Sequence, residues 1–211
     1  METTPNLDPE TTALIVVDLQ NDFCSPGGYY AGTGQNVAAL AAAVEPASRL
    51  LHRAREAGMP VVFTRIVRHP STGPTENRHR LLPRRWFSQG KRLVPGTWGA
   101  DLVGGLQPRP DELVLDKNGY SAFHGTELEA HLHACGVRTL VLCGVLTYAC
   151  VLATAFAAFD RGFDVVLATD ATGSWVEGLG PASFEIVDLL LGHAVPAAML
   201  RFERGQDCTP M

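Results

Sequence analysis

The sequence predicts an α/β protein built on a parallel β-sheet with helices on both faces. Short apolar runs rich in branched residues recur along the chain, each of strand length and bounded by turn residues. Segments with helical apolar spacing lie between them, most of them closed by a glycine. Strands that alternate with helices form β-α-β units, and these place parallel strands in one sheet covered on both sides.

Leu14–Val17 is the first strand, continuous in apolar residues as a doubly buried strand is, and it ends in Asp18. An Ala-rich helical pattern over residues 36–57 follows, with a kink or restart expected at Pro46 and a stop at Gly58. Val61–Ile66 and Leu113–Leu115 are the second and third strands. A helix is expected to start at Thr126, because Thr126 and Glu129 have the spacing of a capping box. Thr139–Cys143 is the fourth strand, and the helix after it, from Tyr148 to Arg161, is apolar nearly all round. That pattern predicts burial on most sides, with Gly162 as the stop. Val165–Ala168 is the fifth strand. A helix over Pro181–Leu191 places Phe184, Val187, Leu190 and Leu191 on one face, and Ala194–Leu200 reads as a weaker sixth strand.

A chain of 211 residues with 46% apolar and 18% charged side chains suits one globular domain over residues 1–211, with polar termini at about 1–11 and 201–211. A net charge of −5 argues against a nucleic-acid-binding surface spread over the molecule. No apolar run has the length of a membrane span. Five cysteines, an odd number, do not form a disulfide framework. Met1–Thr12 lacks a basic and apolar leader pattern, so a cytoplasmic location is expected. The apolar Tyr148–Arg161 helix also points to a homo-oligomer.

Charge reverses in one stretch. Residues 65–98 hold eight basic side chains and one acidic one, Glu76, against nine basic and twenty-one acidic in the rest of the chain. A connection this long is usually functional. It is expected to be a lid or subunit contact over the crevice that biases the site toward polar or anionic substrates. Arg65, at a strand end, is the preferred bidentate clamp for a carboxylate, with Arg84 and Arg85 as further candidates.

In an open parallel sheet, ligands bind beyond the carboxyl ends of the strands, near the switch in strand order. Asp18 ends the first strand, Asp116 and Lys117 end the third, and Cys150 falls in the first turn after the fourth. A thiol at a helix N-terminus is favoured as thiolate; a lysine lowers its pKa further, and an aspartate can accept its proton. On this reading Cys150 is the most reactive thiol of the chain. Each residue also has a plain structural reading: a core cysteine, a turn aspartate, a solvated lysine. Cys143 reads as core, Asp22 as ordering the loop after the first strand, and Asp170 as a turn or cap residue. His131 and His133, two apart on a helix, make a poor metal pair.

Three separated motifs, Asp18-Leu-Gln-Asn-Asp-Phe23, Lys117-Asn-Gly-Tyr-Ser-Ala-Phe123 and Gly144-Val-Leu-Thr-Tyr-Ala-Cys150, resemble the isochorismatase-like cysteine hydrolases. This family includes nicotinamidases, N-carbamoylsarcosine amidase and ureidoacrylate amidohydrolases. The resemblance runs in order from about Thr12 to Leu200. It implies a three-layer α/β/α fold on a six-stranded, mostly parallel sheet, and an Asp18–Lys117–Cys150 triad. It also implies a cis peptide at Val145–Leu146, with the backbone N–H groups of Leu146 and Cys150 as oxyanion hole. Phe23, Arg65, Tyr120, Phe123, His124, Thr147 and Tyr148 are candidate substrate-binding residues. The implied reaction is hydrolysis of a small amide, ureido or carbamoyl C–N bond through a thioester. Alternatives are enol-ether hydrolysis of an isochorismate-like substrate, with Asp18 as the acid, or a binding module on the same fold. Dimers or tetramers are common in the family. No cofactor and no metal is expected, because the region of the family's metal motif reads Thr64-Arg-Ile-Val-Arg-His69 here.

Overall fold

A computed structural model describes residues 6–68 and 92–204. The strands are β1 (Asn6–Leu7), β2 (Thr12–Val17), β3 (Val61–Ile66), β4 (Leu113–Lys117), β5 (Thr139–Val145), β6 (Asp164–Gly173), β7 (Gly192–Val195) and β8 (Arg201–Phe202). Six of them form one sheet in the order β4-β3-β2-β5-β6-β7, and every neighbouring pair is parallel. The chain builds outward from β2 to β4 and then returns to add β5 on the other side of β2. The switch in strand order therefore falls between β2 and β5, the two strands that lead to Asp18 and Cys150.

Side chains of the central strands alternate between two cores, as the pleat dictates. Leu14 and Val16 of β2 and Val141 and Cys143 of β5 pack on one face; Ala13, Ile15 and Val17 with Leu140 and Leu142 pack on the other. The first face is covered by α2 (Val37–Ala41) and α3 (Val44–Glu56), the second by α4 (Leu128–Ala134), α5 (Leu152–Phe159) and α6 (Leu179–Leu190). In α3, Ala47, Leu50, Leu51 and Ala54 recur at helical spacing and are all buried. Each such leucine contributes about 2 kcal/mol of burial free energy.

The structure corrects several element boundaries. The first long helix breaks at Ala42–Ala43, not at Pro46. Pro46 lies in the first turn of α3, where its missing N–H has no intrahelical partner to lose. α4 starts at Leu128, after Glu127; the Thr126 hydroxyl accepts from the Leu128 N–H at a long 3.4 Å and donates to the Ala122 carbonyl oxygen at 2.5 Å. Glu129 pairs with Arg161 at 2.9 Å. The sixth strand is Gly192–Val195, and a short 3-10 turn occupies Ala197–Met199. Asp170 anchors that turn by accepting from the Ala197 N–H at 2.6 Å. Both polar termini contribute structure, since β1 pairs with β8. The helix expected to be buried on most sides leaves Phe156 40% and Phe159 50% exposed. No helix among the described residues is long and apolar enough to cross a membrane.

Gly144 shows how closely β2 and β5 approach. Its φ is +118°, and a Cβ there would sit 2.0 Å from the Val17 carbonyl oxygen. Neither strand can retreat without breaking the sheet. Gly144→Ala is therefore expected to cost about 4 kcal/mol or more, in the range of the severest point mutations. Circular dichroism melts would show it as loss of the folded transition, whereas a wild-type melting curve would contradict this packing.

Candidate active site

Asp18 terminates β2 with a left-handed backbone, φ +51°. Its N–H donates to the Thr64 carbonyl oxygen at 3.1 Å, and its own carbonyl accepts from the Gln20 N–H at 2.7 Å. This turn is fastened by Gln20, which is fully buried. The Gln20 amide nitrogen donates to the Ile66 and Ala100 carbonyls at 3.1 and 2.8 Å, and its oxygen accepts from the Ile66 N–H at 2.9 Å. The loop beyond is ordered by Asp22, as the sequence suggested. Its carboxylate accepts from the N–H groups of Tyr29 at 3.0 Å and Leu93 at 2.6 Å. Gly99 backs onto the same carboxylate, where a Cβ would lie 2.3 Å from the Asp22 oxygen.

The Asp18 side chain is held on both oxygens. Lys117 Nζ donates to Oδ2 at 2.7 Å, and the Thr64 hydroxyl donates to Oδ1 at 2.7 Å. Lys117 also donates to the carbonyls of Gly119 at 3.1 Å and Tyr120 at 3.0 Å, which engages all three ammonium hydrogens. Both side chains of the pair are wholly shielded from solvent. Burial alone would lower the Lys117 pKa, but the negative charge of Asp18 and the neighbouring Cys150 raise it above the ordinary lysine range. Lys117 is a fixed cation.

Cys150 is buried, with its sulfur close enough to Asp18 and Lys117 for both charges to act on it. It does not occupy an α-helical first turn. Residues Thr147–Val151 form a π turn, closed by the Val151 N–H donating to the Leu146 carbonyl at 3.2 Å, and α5 starts only at Leu152. Such single wide turns are frequent at functional sites. Thr154 ties the turn to the loop after β4. Its hydroxyl donates to the Cys150 carbonyl at 2.7 Å and accepts from the Ala122 N–H at 2.9 Å. The Val145–Leu146 peptide that enters the turn is cis.

The expected resting thiolate is not found. Burial, reinforced by the Asp18 carboxylate and only partly opposed by Lys117, pushes the Cys150 thiol up to about 12. Cys24, on the short buried helix α1 (Asn21–Cys24), and Cys143 in the core are pushed up to about 12 by burial as well. The arrangement holds a neutral thiol beside a carboxylate able to take its proton. Reactivity toward a general alkylator then follows exposure. Among the four described cysteines, iodoacetamide is expected to modify exposed Cys135 before Cys150, as read by peptide mapping; first labelling at Cys150 would contradict the protonated resting state.

Asp18, Lys117 and Cys150, from three different strands, thus converge. Thr147 is buried, and Tyr148 is half-buried, with its pKa raised by burial and by the nearby Tyr120 phenol. Tyr120 is exposed, while its carbonyl serves Lys117. Phe23 is buried and stacks on Tyr30, with centroids 5.0 Å apart. Phe123 turns into the core against Phe163 at 5.9 Å, under the Arg161 guanidinium at 4.9 Å. The exposed His124 ring lies against Gly119.

Arg65 is not brought to the triad. It alternates onto the face of Val61 and Phe63, and its fork is held by Asp116, its register partner on β4, at 2.7 and 3.0 Å. It lines a cleft of about 340 Å³ with Asn21, Trp98, Asp101 and Gln107 that none of the triad residues lines. Arg84, Arg85, His69 and most of the basic segment lie outside the described residues, as do His79 and Cys208. Among the described residues no three His, Cys, Asp or Glu side chains converge to hold a metal. Gln20, Thr64 and Thr154 escaped sequence analysis. Only Gln20 carried a signal, as part of the Asp18–Phe23 motif.

Comparison with known proteins agrees with this fold. The isochorismatase domain model matches residues 12–194. Ureidoacrylate amidohydrolase RutB of Methylobacterium radiotolerans is 36% identical over 176 residues, 79% of this chain and 68% of that protein. An isochorismatase family protein from Desulfovibrio vulgaris superposes with a TM-score of 0.76 at 32% identity, covering 89% of this chain and 95% of that one. A cysteine hydrolase from Pseudomonas syringae superposes with a TM-score of 0.79 at 26% identity, over 94% of both chains. With the domain matched from the start of β2 into β7 and the three site residues inside it, the chain belongs to the isochorismatase family.

Proposed function

We propose that the protein is a cysteine-dependent hydrolase that cleaves a small amide, ureido or carbamoyl C–N bond. The observation that carries this reading is the buried Lys117–Asp18 pair at 2.7 Å with the Cys150 thiol in reach of both. The similarity to a ureidoacrylate amidohydrolase supports the same bond class.

In this reading Asp18 takes the Cys150 proton as the sulfur attacks the carbonyl carbon. A neutral thiol suits such coupled transfer, because the proton leaves only when the new C–S bond forms. Lys117 holds Asp18 in place and, as a fixed cation, balances the charge that develops near the sulfur. The oxyanion is received by the N–H groups of Leu146 and Cys150, each such donor contributing about 3 kcal/mol to the transition state. Collapse breaks the C–N bond, and Asp18 passes its proton to the departing nitrogen. Asp18 then deprotonates a water, which attacks the thioester. Release of the acid returns the proton to Cys150.

The test is a panel of small amides, ureas and carbamoyl compounds with the native protein. Ammonia or amine release that tracks enzyme concentration is expected. Pyruvate release from an isochorismate-type enol ether, without amine release from any member of the panel, would replace this reading by enol-ether hydrolysis.

A further inference from the structure

Lys117 and Cys150 stand far apart in strand order. β4, which carries Lys117, is an edge strand, and β3 and β2 lie between it and β5, the strand that leads to Cys150. Three strand spacings separate β4 from β5, about 14 Å, and an edge strand has one neighbour to hold it where a central strand has two. A second tie runs outside the sheet. The Cys150 carbonyl accepts from the Thr154 hydroxyl at 2.7 Å, and the same hydroxyl accepts from the Ala122 N–H at 2.9 Å. Ala122 lies two residues past Tyr120, whose carbonyl, with that of Gly119, accepts from Lys117 Nζ at 3.0 and 3.1 Å. From the cysteine backbone to the ammonium, the path is one hydroxyl and a short stretch of loop.

Packing does not explain a threonine at this place. The buried residues of α5 are Thr154, Ala155 and Ala158, and Thr154 is fully buried. Valine has the same shape and brings no hydroxyl that must be satisfied. A hydroxyl that only bonds back to the carbonyl four residues earlier weakens a helix slightly. What this hydroxyl adds is its second bond. Ala122 is fully buried as well, so its N–H needs an acceptor inside the protein. Its carbonyl is already held by the Thr126 hydroxyl at 2.5 Å. Loss of the Thr154 oxygen orphans the Ala122 N–H, a cost that a shift of the loop relieves.

We propose that Thr154 is a positioning residue: its hydroxyl fixes the cysteine turn against the loop after β4 and so holds Lys117 in register with Cys150 and Asp18. It acts through the Cys150 backbone on one side and through the Tyr120 and Gly119 carbonyls on the other. Its effect on turnover rests on the hydrolase reading above; its effect on Lys117 does not.

The chain has two lysines, Lys91 and Lys117, so ¹⁵N labelling of lysine gives two side-chain signals, and Lys91→Arg identifies the one from Lys117. A buried ammonium with its hydrogens engaged exchanges slowly with water, so a Lys117 Nζ–H signal is expected in the native protein at neutral pH. Thr154→Val is expected to shift or broaden that signal, while Thr154→Ser, which keeps the hydroxyl, leaves it near its native position. Should the valine variant not fold, Thr154→Ala takes its place. With the best substrate of the panel, Thr154→Val is expected to lower kcat about 10- to 100-fold and to leave KM within about twofold, as misplaced reacting groups do. Serine is expected to restore most of kcat. A side chain that served packing alone would lower the melting temperature without moving the Lys117 signal. An unmoved signal in the folded valine or alanine variant, an equal shift with serine, or no slowly exchanging Lys117 signal in the native protein overturns the assignment. An unchanged kcat in an active protein overturns it too. A signal moved by valine and not by serine, in a protein that hydrolyses none of the amides, would leave the positioning role standing and overturn the hydrolase reading instead.

Discussion

Asp18→Asn is expected to abolish measurable turnover and to destabilise the fold at the same time. The activity loss follows from removal of the proton acceptor, a role typically contributing 10²–10⁴-fold in rate. The loss is expected at the upper end of that range, because an asparagine amide cannot take the thiol proton or return it to the leaving nitrogen. The stability loss has a separate cause. Asparagine leaves the Lys117 ammonium wholly buried with no carboxylate beside it, only neutral oxygens such as the Gly119 and Tyr120 carbonyls. Stranding one member of a buried ion pair costs about 3–5 kcal/mol. Lys117→Met leaves the complementary orphan and should be comparably unstable. The double variant, with both charges gone, is expected to be more stable than either single one. Chemical denaturation of all four proteins checks this; strictly additive losses would show that the pair is not coupled.

Cys150→Ala is expected to eliminate turnover by roughly 10⁵-fold or more, the scale at which loss of a covalent nucleophile leaves only binding and oxyanion contributions. Its effect on folding is small by comparison. The buried Lys117–Asp18 pair persists, and the Cys150 carbonyl still accepts from Thr154. The ratio between the two variants is informative: Asp18→Asn loses both activity and stability, Cys150→Ala loses activity alone. Circular dichroism and amine-release assays on the two proteins separate the roles. Residual turnover in Cys150→Ala comparable to the native rate would remove the thiol from the mechanism.

High pH gives an independent reading of the thiols. Cys24, Cys143 and Cys150 are held near 12 in the folded protein against an ordinary value of 9.0. The unfolded chain ionises them first, so their contribution is fully present below pH 9 and is lost as pH rises toward 12. The slope is about 1 kcal/mol per pH unit for each thiol. Cys143→Ala should reduce the slope of stability against pH above 9, and an unaltered slope would place that thiol outside the core.

Much of the site was legible because chemistry at strand ends is a one-dimensional signal. Asp18 follows an apolar run directly, Lys117 closes another one residue later, and Cys150 lies in the turn five residues past β5, so the fold needs only to bring three strand ends together. Arg65 misled because its partner is set by register. Asp116 becomes its neighbour only once β3 and β4 align with Arg65 opposite Asp116, and local spacing contains no such information. The thiolate expectation failed for a related reason. Helix pattern alone does not distinguish an α-helical first turn from the π turn at Thr147–Val151, nor does it report the burial that dominates the thiol. Thr64 and Thr154 read as ordinary strand and helix residues; the Thr64 hydroxyl acts on a group 46 residues away, and the Thr154 hydroxyl joins the Cys150 carbonyl to an N–H 32 residues away. The break at Ala42–Ala43 lies in an alanine run that contains no sequence mark for it.

Cys150 is expected to form an acyl-enzyme when an amide is cleaved. Intact mass spectrometry of native protein, acid-quenched during turnover of the best substrate from the panel, tests it most directly. A mass increase equal to the acyl group is expected, mapped to the peptide that carries Cys150 and absent from Cys150→Ala. Amine release at full rate with no adduct on Cys150, while Cys150→Ala remains active, would contradict it.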